Sequence, residues 1–135
     1  MYLLDTNIVS ELRRANPHQR VLGWIKDTPA DRLFLSVATG GEIQAGIEIT
    51  RDQYAAKAEE LSAWLGRVIA SYNVLPMDID AFREWAVLKH RKSDTLIEDV
   101  MIAATARVHG LTVATRNVRD FRNLDVEILN PFGSE

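Results

Sequence analysis

Apolar residues fall into two rhythms along this chain, short unbroken runs and helical stripes, and the two alternate. Tyr2-Leu3-Leu4 is the first run, short enough for a strand buried on both faces, and it stops at Asp5. From Asn7 the pattern reads as helix through Leu12, with Asp5, Thr6 or Asn7 as N-cap, and Asn16-Pro17 ends it. Residues 18 to 26 place Val21, Leu22 and Ile25 on one helical face before Thr28-Pro29 breaks the pattern. Leu33-Phe34-Leu35-Ser36-Val37 is the second strand. Thr39 is the expected cap of the helix that follows, which carries Glu42 in its first turn and Ile43 and Ile47 on one face.

The clearest stripe is Leu61, Trp64, Leu65, Val68, Ile69 and Tyr72, at helical spacing between residues 53 and 72. Val74-Leu75 is a short third strand, and Phe82, Trp85, Ala86 and Leu88 mark another helix, with a break in the apolar pattern from Lys89 to Ser93. Ile97, Met101, Ala104 and Val108 form a helix rich in small residues that Gly110 stops as a C′ glycine. Leu111-Thr112-Val113-Ala114 is an inner strand, and Val126-Glu127-Ile128-Leu129 is the last, before Asn130-Pro131. Strands joined through helices pair in parallel, so the expectation is a single α/β domain over residues 1–135 with a mainly parallel sheet. Ligand sites in such sheets lie beyond the carboxyl ends of the strands. Four acids map to that edge: Asp5 after strand one, Glu42 after strand two, Asp120 after the strand at 111–114, and Asp99 near the start of the helix leading into it.

Composition changes this picture little. A length of 135 residues with 47% hydrophobic and 26% charged residues suits one soluble core and excludes a disordered chain. No apolar run reaches the roughly 20 residues of a membrane span. The first residues, with an acid at position 5 and no basic stretch, read as strand rather than secretory signal. The absence of cysteine removes disulfides, thiolate metal sites and thiol nucleophiles, and fits a cytoplasmic protein. Crowded carboxylates need a counter-charge, and Mg²⁺ or Mn²⁺ suits their hard oxygens, so a metal-dependent nuclease is the expected chemistry. The net charge of −3 runs against a nucleic-acid ligand, but four empty carboxylates account for about −4 of it. Phosphate contacts would fall to Arg13 and Arg14, the run Lys89-His90-Arg91-Lys92, and Arg116, Arg119 and Arg122.

Four segments, in order, resemble the PIN-domain family and specifically its VapC and FitB type toxins. They are Leu4-Asp5-Thr6-Asn7-Ile8-Val9-Ser10-Glu11, the stretch Ser36 to Ile43 with Gly46-Ile47-Glu48, Asp99 to Ala106 with Gly110-Leu111-Thr112, and Thr115-Arg116-Asn117-Val118-Arg119-Asp120-Phe121. Asn130-Pro131-Phe132 is similar to the family's closing segment. The resemblance implies a three-layer α/β/α fold, an Mg²⁺-dependent endoribonuclease, a homodimer and a cognate DNA-binding antitoxin. It also implies roles: Asp5, Asp99 and Asp120 as metal ligands, with Glu42 completing the acidic set and either ligating through water or helping to deprotonate the attacking water. Thr6, Asn7, Thr115 and Asn117 would orient the carboxylates through hydrogen bonds. Water as nucleophile leaves 5′-phosphate and 3′-hydroxyl ends, and transfer RNA is the favoured substrate.

Each acid also has a structural explanation. Asp5 suits a helix cap, Glu42 and Asp99 suit a helix dipole, and Asp120 suits a surface pair with Arg116 or Arg119. Glu98 reads as a decoy in capping-box spacing with Thr95. Trp24, Trp64 and Trp85 read as core or interface rather than base-stacking platforms, and His18, His90 and His109 as structural. The sequence does not locate the surface of a dimer; the stripe from Leu61 to Tyr72 reads either as core or as a shared surface. A haloacid-dehalogenase-type enzyme would need a second Asp where this chain has Asn7, and a dinucleotide-binding domain would need a glycine-rich turn after the first strand. A non-catalytic scaffold that binds RNA or protein stays open as the alternative.

Overall fold

Parallel pairing sets the whole architecture of the computed structural model, which describes residues 1–91 and 97–133, the side chain of Arg91 excepted. Strand β1 (Tyr2–Leu4) lies between β2 (Leu33–Ser36) and β4 (Thr112–Ala114); β3 (Asn73–Leu75) and β5 (Ile128–Leu129) form the edges, in the order β3-β2-β1-β4-β5. All four pairings are parallel, with Leu4 opposite both Leu35 and Ala114. Asp5 and Thr115, which follow Leu4 and Ala114, therefore emerge side by side at one edge.

Side chains alternate across a strand, so neighbouring residues serve opposite faces. Leu3 and Val113 join the core built with α5 (Ile79–Arg91), α6 (Ile97–His109) and α7 (Val118–Phe121), which includes Leu88, Ile102 and Phe121. Leu4, Leu33, Leu35 and Ala114 face α1 (Thr6–Glu11), α2 (Gln19–Asp27) and α4 (Ala55–Ser71), meeting Ile8, Val9, Val21 and Val68. Each fully buried leucine contributes roughly 1.5 to 3 kcal/mol relative to exposure. With both faces covered, the layers are α/β/α, matching the expected fold class. Helix α3 (Val37–Arg51) packs along α4 through Ile47, Ala58 and Leu65.

The helix ends show which local signals acted. Asp5 caps α1, accepting the Thr6 N–H at 2.8 Å, so this helix begins one residue before Asn7. Ser36, not Thr39, caps α3, accepting the Ala38 N–H at 3.0 Å. The helix thus begins at Val37, where the second strand was expected to end, Thr39 is buried within its first turn, and Glu42 lies in the second turn rather than the first. Gly110 ends α6 in the left-handed region at φ 67°, with the Leu111 N–H reaching back to Ala106 O at 2.8 Å. Helix α5 continues through Lys89, His90 and Arg91 although the apolar pattern stops there, because backbone hydrogen bonding carries a helix on without an apolar stripe. The rest of that expected break, Lys92 and Ser93, and the capping residue Thr95 lie outside the described residues.

The last strand is shorter than its apolar run. Asp125 takes φ 54°, which bends the chain just before it, and only Ile128 and Leu129 enter the sheet, though Glu127 O still accepts the Val113 N–H. Glu11 is 5% exposed at the end of α1; it accepts the His18 N–H at 2.8 Å and pairs with Arg14 at 3.3 Å, fixing the turn between α1 and α2. Most of the stripe on α4 packs inside this chain: Leu65 and Val68 are buried, Leu61, Trp64 and Tyr72 half-buried, and Ile69 alone of the six is exposed.

Candidate active site

Asp5 is held from three sides. One carboxylate oxygen accepts the Thr6 N–H at 2.8 Å; the other accepts the Thr115 hydroxyl at 2.7 Å and the Asn7 amide at 3.1 Å. A carboxylate has about four acceptor positions, so roughly one is left for another ligand. Thr115 is fully buried and is the hub, since its hydroxyl also accepts the Asn117 N–H at 2.9 Å and meets the Asn7 amide at 3.3 Å. Asn7 in turn accepts the Arg116 N–H through Oδ1 at 3.1 Å, tying α1 to the segment after β4. Among the described residues Asn117 takes part through its backbone alone; its side chain makes no cap bond to α7 and is exposed.

Glu42 is joined to this group by Thr6, whose hydroxyl donates to Oε1 at 2.7 Å and lies 3.3 Å from the hydroxyl of buried Thr39. A shift of one residue along α3 would turn Glu42 by about 100° around the helix, so the Ser36 cap sets the aim of this acid. Asp99 sits in the first turn of α6, 9% exposed, and among the described residues no hydrogen bond reaches it. Asp120 is exposed on α7 and forms no ion pair with Arg116 or Arg119 among the described residues. Arg116 instead lies over the Phe132 ring, 4.4 Å from its centre.

The four acids feel one another. Burial pushes Asp99 up to about 7, and the charges of Asp5, Asp120, Glu42 and Glu98 add to the rise. Asp5 is also raised, chiefly by burial, although its three hydrogen bonds pull the other way. Burial raises Glu42 too, with help from Asp5 and Glu98 and against the Thr6 bond. Glu98, read from the sequence as a bystander, is thus exposed but electrostatically part of the edge. Desolvated acids with raised pKa values at one strand edge are a mark of a working site.

Hard oxygen donors suit Mg²⁺ or Mn²⁺, and a cation would relieve the repulsion that lifts Asp99. Among the described residues, no three acidic or histidine side chains are gathered closely enough to hold an ion as they stand, and this includes Asp5, Asp99 and Asp120. Mg²⁺ does not require that, since it is commonly bound through one or two carboxylates with water and phosphate completing its shell. The donor set therefore fits such an ion.

Residues 2–127 match the PIN domain family. The chain belongs to the PIN-domain family. Among PIN relatives, a VapC ribonuclease of Sinorhizobium fredii is 38% identical over 143 residues, covering 98% of each chain. The toxin FitB of Neisseria gonorrhoeae is 31% identical over 139 residues, covering 98% of this chain and 99% of its own. The crystal structure of FitAcB from Neisseria gonorrhoeae superposes with a TM-score of 0.89 at 30% identity, over 99% of this chain and 100% of that one. In this PIN fold the basic candidates divide. Arg14 is engaged by Glu11, Arg119 and Arg122 are exposed on or beside α7, and Arg13 lines a pocket next to Glu42. Lys92 lies outside the described residues. Sequence reading passed over Ser36 and Thr39 in their actual roles because Thr39 is also a good cap residue by type.

Proposed function

We propose that this PIN domain is a divalent-metal-dependent endoribonuclease and the toxin of a toxin–antitoxin pair. Asp99 carries the reading: a nearly buried carboxylate with no hydrogen bond among the described residues, raised to about 7 by burial and by the charges of Asp5, Asp120, Glu42 and Glu98, is costly for a fold that makes no use of it. Relatives described as a VapC ribonuclease and a toxin support the reaction class. Asp5 and Asp99 would hold Mg²⁺ or Mn²⁺, joined by Asp120, and the bound ion supplies a lowered pKa for water and neutralises charge on the phosphate.

The chain's own groups do the rest. Thr115, Asn7 and the Thr6 N–H fix Asp5 in one orientation. Thr6 also holds Glu42 by Oε1, leaving its other oxygen to take a proton from water; the raised pKa makes Glu42 a better proton acceptor. Arg13, Arg116 and Arg119 would meet the phosphates of the RNA. The products carry 5′-phosphate and 3′-hydroxyl ends, and transfer RNA is the first substrate to try. A small DNA-binding antitoxin, self-association as a homodimer and a cytoplasmic site of action complete the proposal. No helix among the described residues is long and apolar enough to cross a membrane.

That no ready-made ligand set is found among the described residues favours one rival, a PIN-like scaffold that binds RNA or protein without cutting it. Cleavage of a total small-RNA pool by antitoxin-free protein, with and without Mg²⁺, separates the two. Metal-dependent cutting with 5′-phosphate ends supports the nuclease. Ends in 2′,3′-cyclic phosphate overturn the mechanism, and a folded protein that neither cuts nor binds metal is the scaffold.

A further inference from the structure

The closing segment Asn130-Pro131-Phe132 supplies no acid, yet it reaches the acidic edge, because the Thr115 N–H donates to Leu129 O at 2.9 Å just before it. Phe132 is buried among Leu4, Ile8, Val9 and Val21. Its backbone N–H donates to Asn130 Oδ1 at 3.0 Å, the His18 ring meets it edge-on at 5.0 Å, and Gly133, at φ 101°, turns the chain immediately after it. Over this fixed ring lies the Arg116 guanidinium, 4.4 Å from its centre.

Arg116 is tied to the site by its backbone. Its N–H donates to Asn7 Oδ1 at 3.1 Å, and the amide of the same Asn7 donates to Asp5 at 3.1 Å. Four acids nearby attract an exposed guanidinium, and the open outcome is collapse onto a carboxylate. That has not happened: among the described residues Arg116 makes no ion pair, and the charges that shift Asp5, Glu42 and Asp99 are those of other acids. A guanidinium over a ring and an exposed arginine–carboxylate pair are of similar strength, so a ring locked in place can keep the arginine from the acids.

We propose that Phe132 is a positioning residue, which holds Arg116 off the acidic edge and so leaves the carboxylates to a cation and the guanidinium to a phosphate of the RNA. The role rests on the nuclease reading for its ligands, and on the seat of Arg116 for its geometry. Without the ring, Arg116 falls onto the carboxylates, competing with the ion and giving up the phosphate. Removing Arg116 as well then frees the acids again.

The test compares wild type, Phe132→Leu, Arg116→Ala and the double variant, with Phe132→Met in place of Phe132→Leu if that protein does not fold. Mn²⁺ binding to the metal-free proteins, by calorimetry, should weaken about 1.5- to 5-fold in Phe132→Leu, the strength of an exposed arginine–carboxylate pair, and recover in the double variant. Binding of a short random-sequence oligoribonucleotide in EDTA, by fluorescence anisotropy at rising salt, reads the phosphate contact. The slope of log affinity against log salt should fall by about 0.7 in Arg116→Ala and by the same amount in Phe132→Leu, with no further fall in the double variant. Phe132→Tyr, which keeps the ring, should match wild type in both. A ring that only supports the fold would lower RNA affinity without changing the slope, and losing Arg116 would not restore Mn²⁺ binding; either result overturns the proposal. Both effects in a protein that cuts no RNA sustain the role of Phe132 and count against the nuclease. Cleavage with slope and Mn²⁺ affinity unchanged in Phe132→Leu removes the role and leaves the nuclease intact, and a wild type that binds neither probe overturns both.

Discussion

Two aspartates at the same edge live under opposite conditions. Asp5 accepts three hydrogen bonds, and Asp99 accepts none from the described residues. Asp5 is thus a fixed anchor, whereas Asp99 is the acid with most to gain from a cation. Replacing either by Asn should lower RNA cleavage at least about 100-fold while circular dichroism stays native, since charge at the edge is lost and shape kept. The same substitutions separate in stability. With its pKa raised from 3.8 to about 7, Asp99 binds more protons folded than unfolded, so the relief from protonation is complete below pH 3.8 and is lost as pH rises to about 7. Metal-free Asp99→Asn should therefore melt above wild type at pH 8, by roughly 3 to 10 °C, and the gap should close towards pH 4. Thermal melts in EDTA across that range check it; a gap that does not depend on pH contradicts the assignment.

Helix α3 decides how the elements meet at the site. Its Ser36 cap fixes where the helix begins and hence which way Glu42 points. Ser36→Ala should cost about 0.5 to 2 kcal/mol, read by urea denaturation, and should weaken cleavage more than that stability loss explains, because the Thr6–Glu42 contact depends on the cap. The same helix shows where sequence stops being enough. Strands such as Tyr2–Leu4 and Thr112–Ala114 were legible because continuous apolar runs bounded by polar residues leave little choice, and all five strands and their parallel pairing followed. Asp5, Thr6, Asn7 and Thr115 could be picked out because they abut those strands. Ser36 and Thr39 both suit a cap, and only the pairing of β2 with β1 and β3 decides between them. The seat of Arg116 on Phe132 had no sequence signal, because the two residues follow β4 and β5 and meet only once those strands lie side by side.

The chain as a whole is acidic, −3 at neutral pH, yet its proposed ligand is a polyanion. Binding should therefore depend on the ion as well as on arginines: Mg²⁺ at 100 times its dissociation constant should stabilise wild type by about 2.7 kcal/mol, and Asp99→Asn far less. Differential scanning calorimetry with increasing Mg²⁺ measures this, and equal shifts in the two proteins would place the ion elsewhere. The sheet order has one more consequence. Strand β1 is made first but lies in the middle, and its neighbour β4 comes more than a hundred residues later. A ribosome building this chain therefore holds an unfinished edge, with Asp5 lacking Thr115 and the fourth acid still to come, until residue 120 has been added. Any cutting of RNA would have to wait for the last of the four acids to be made, which gives an antitoxin made alongside it time to be waiting.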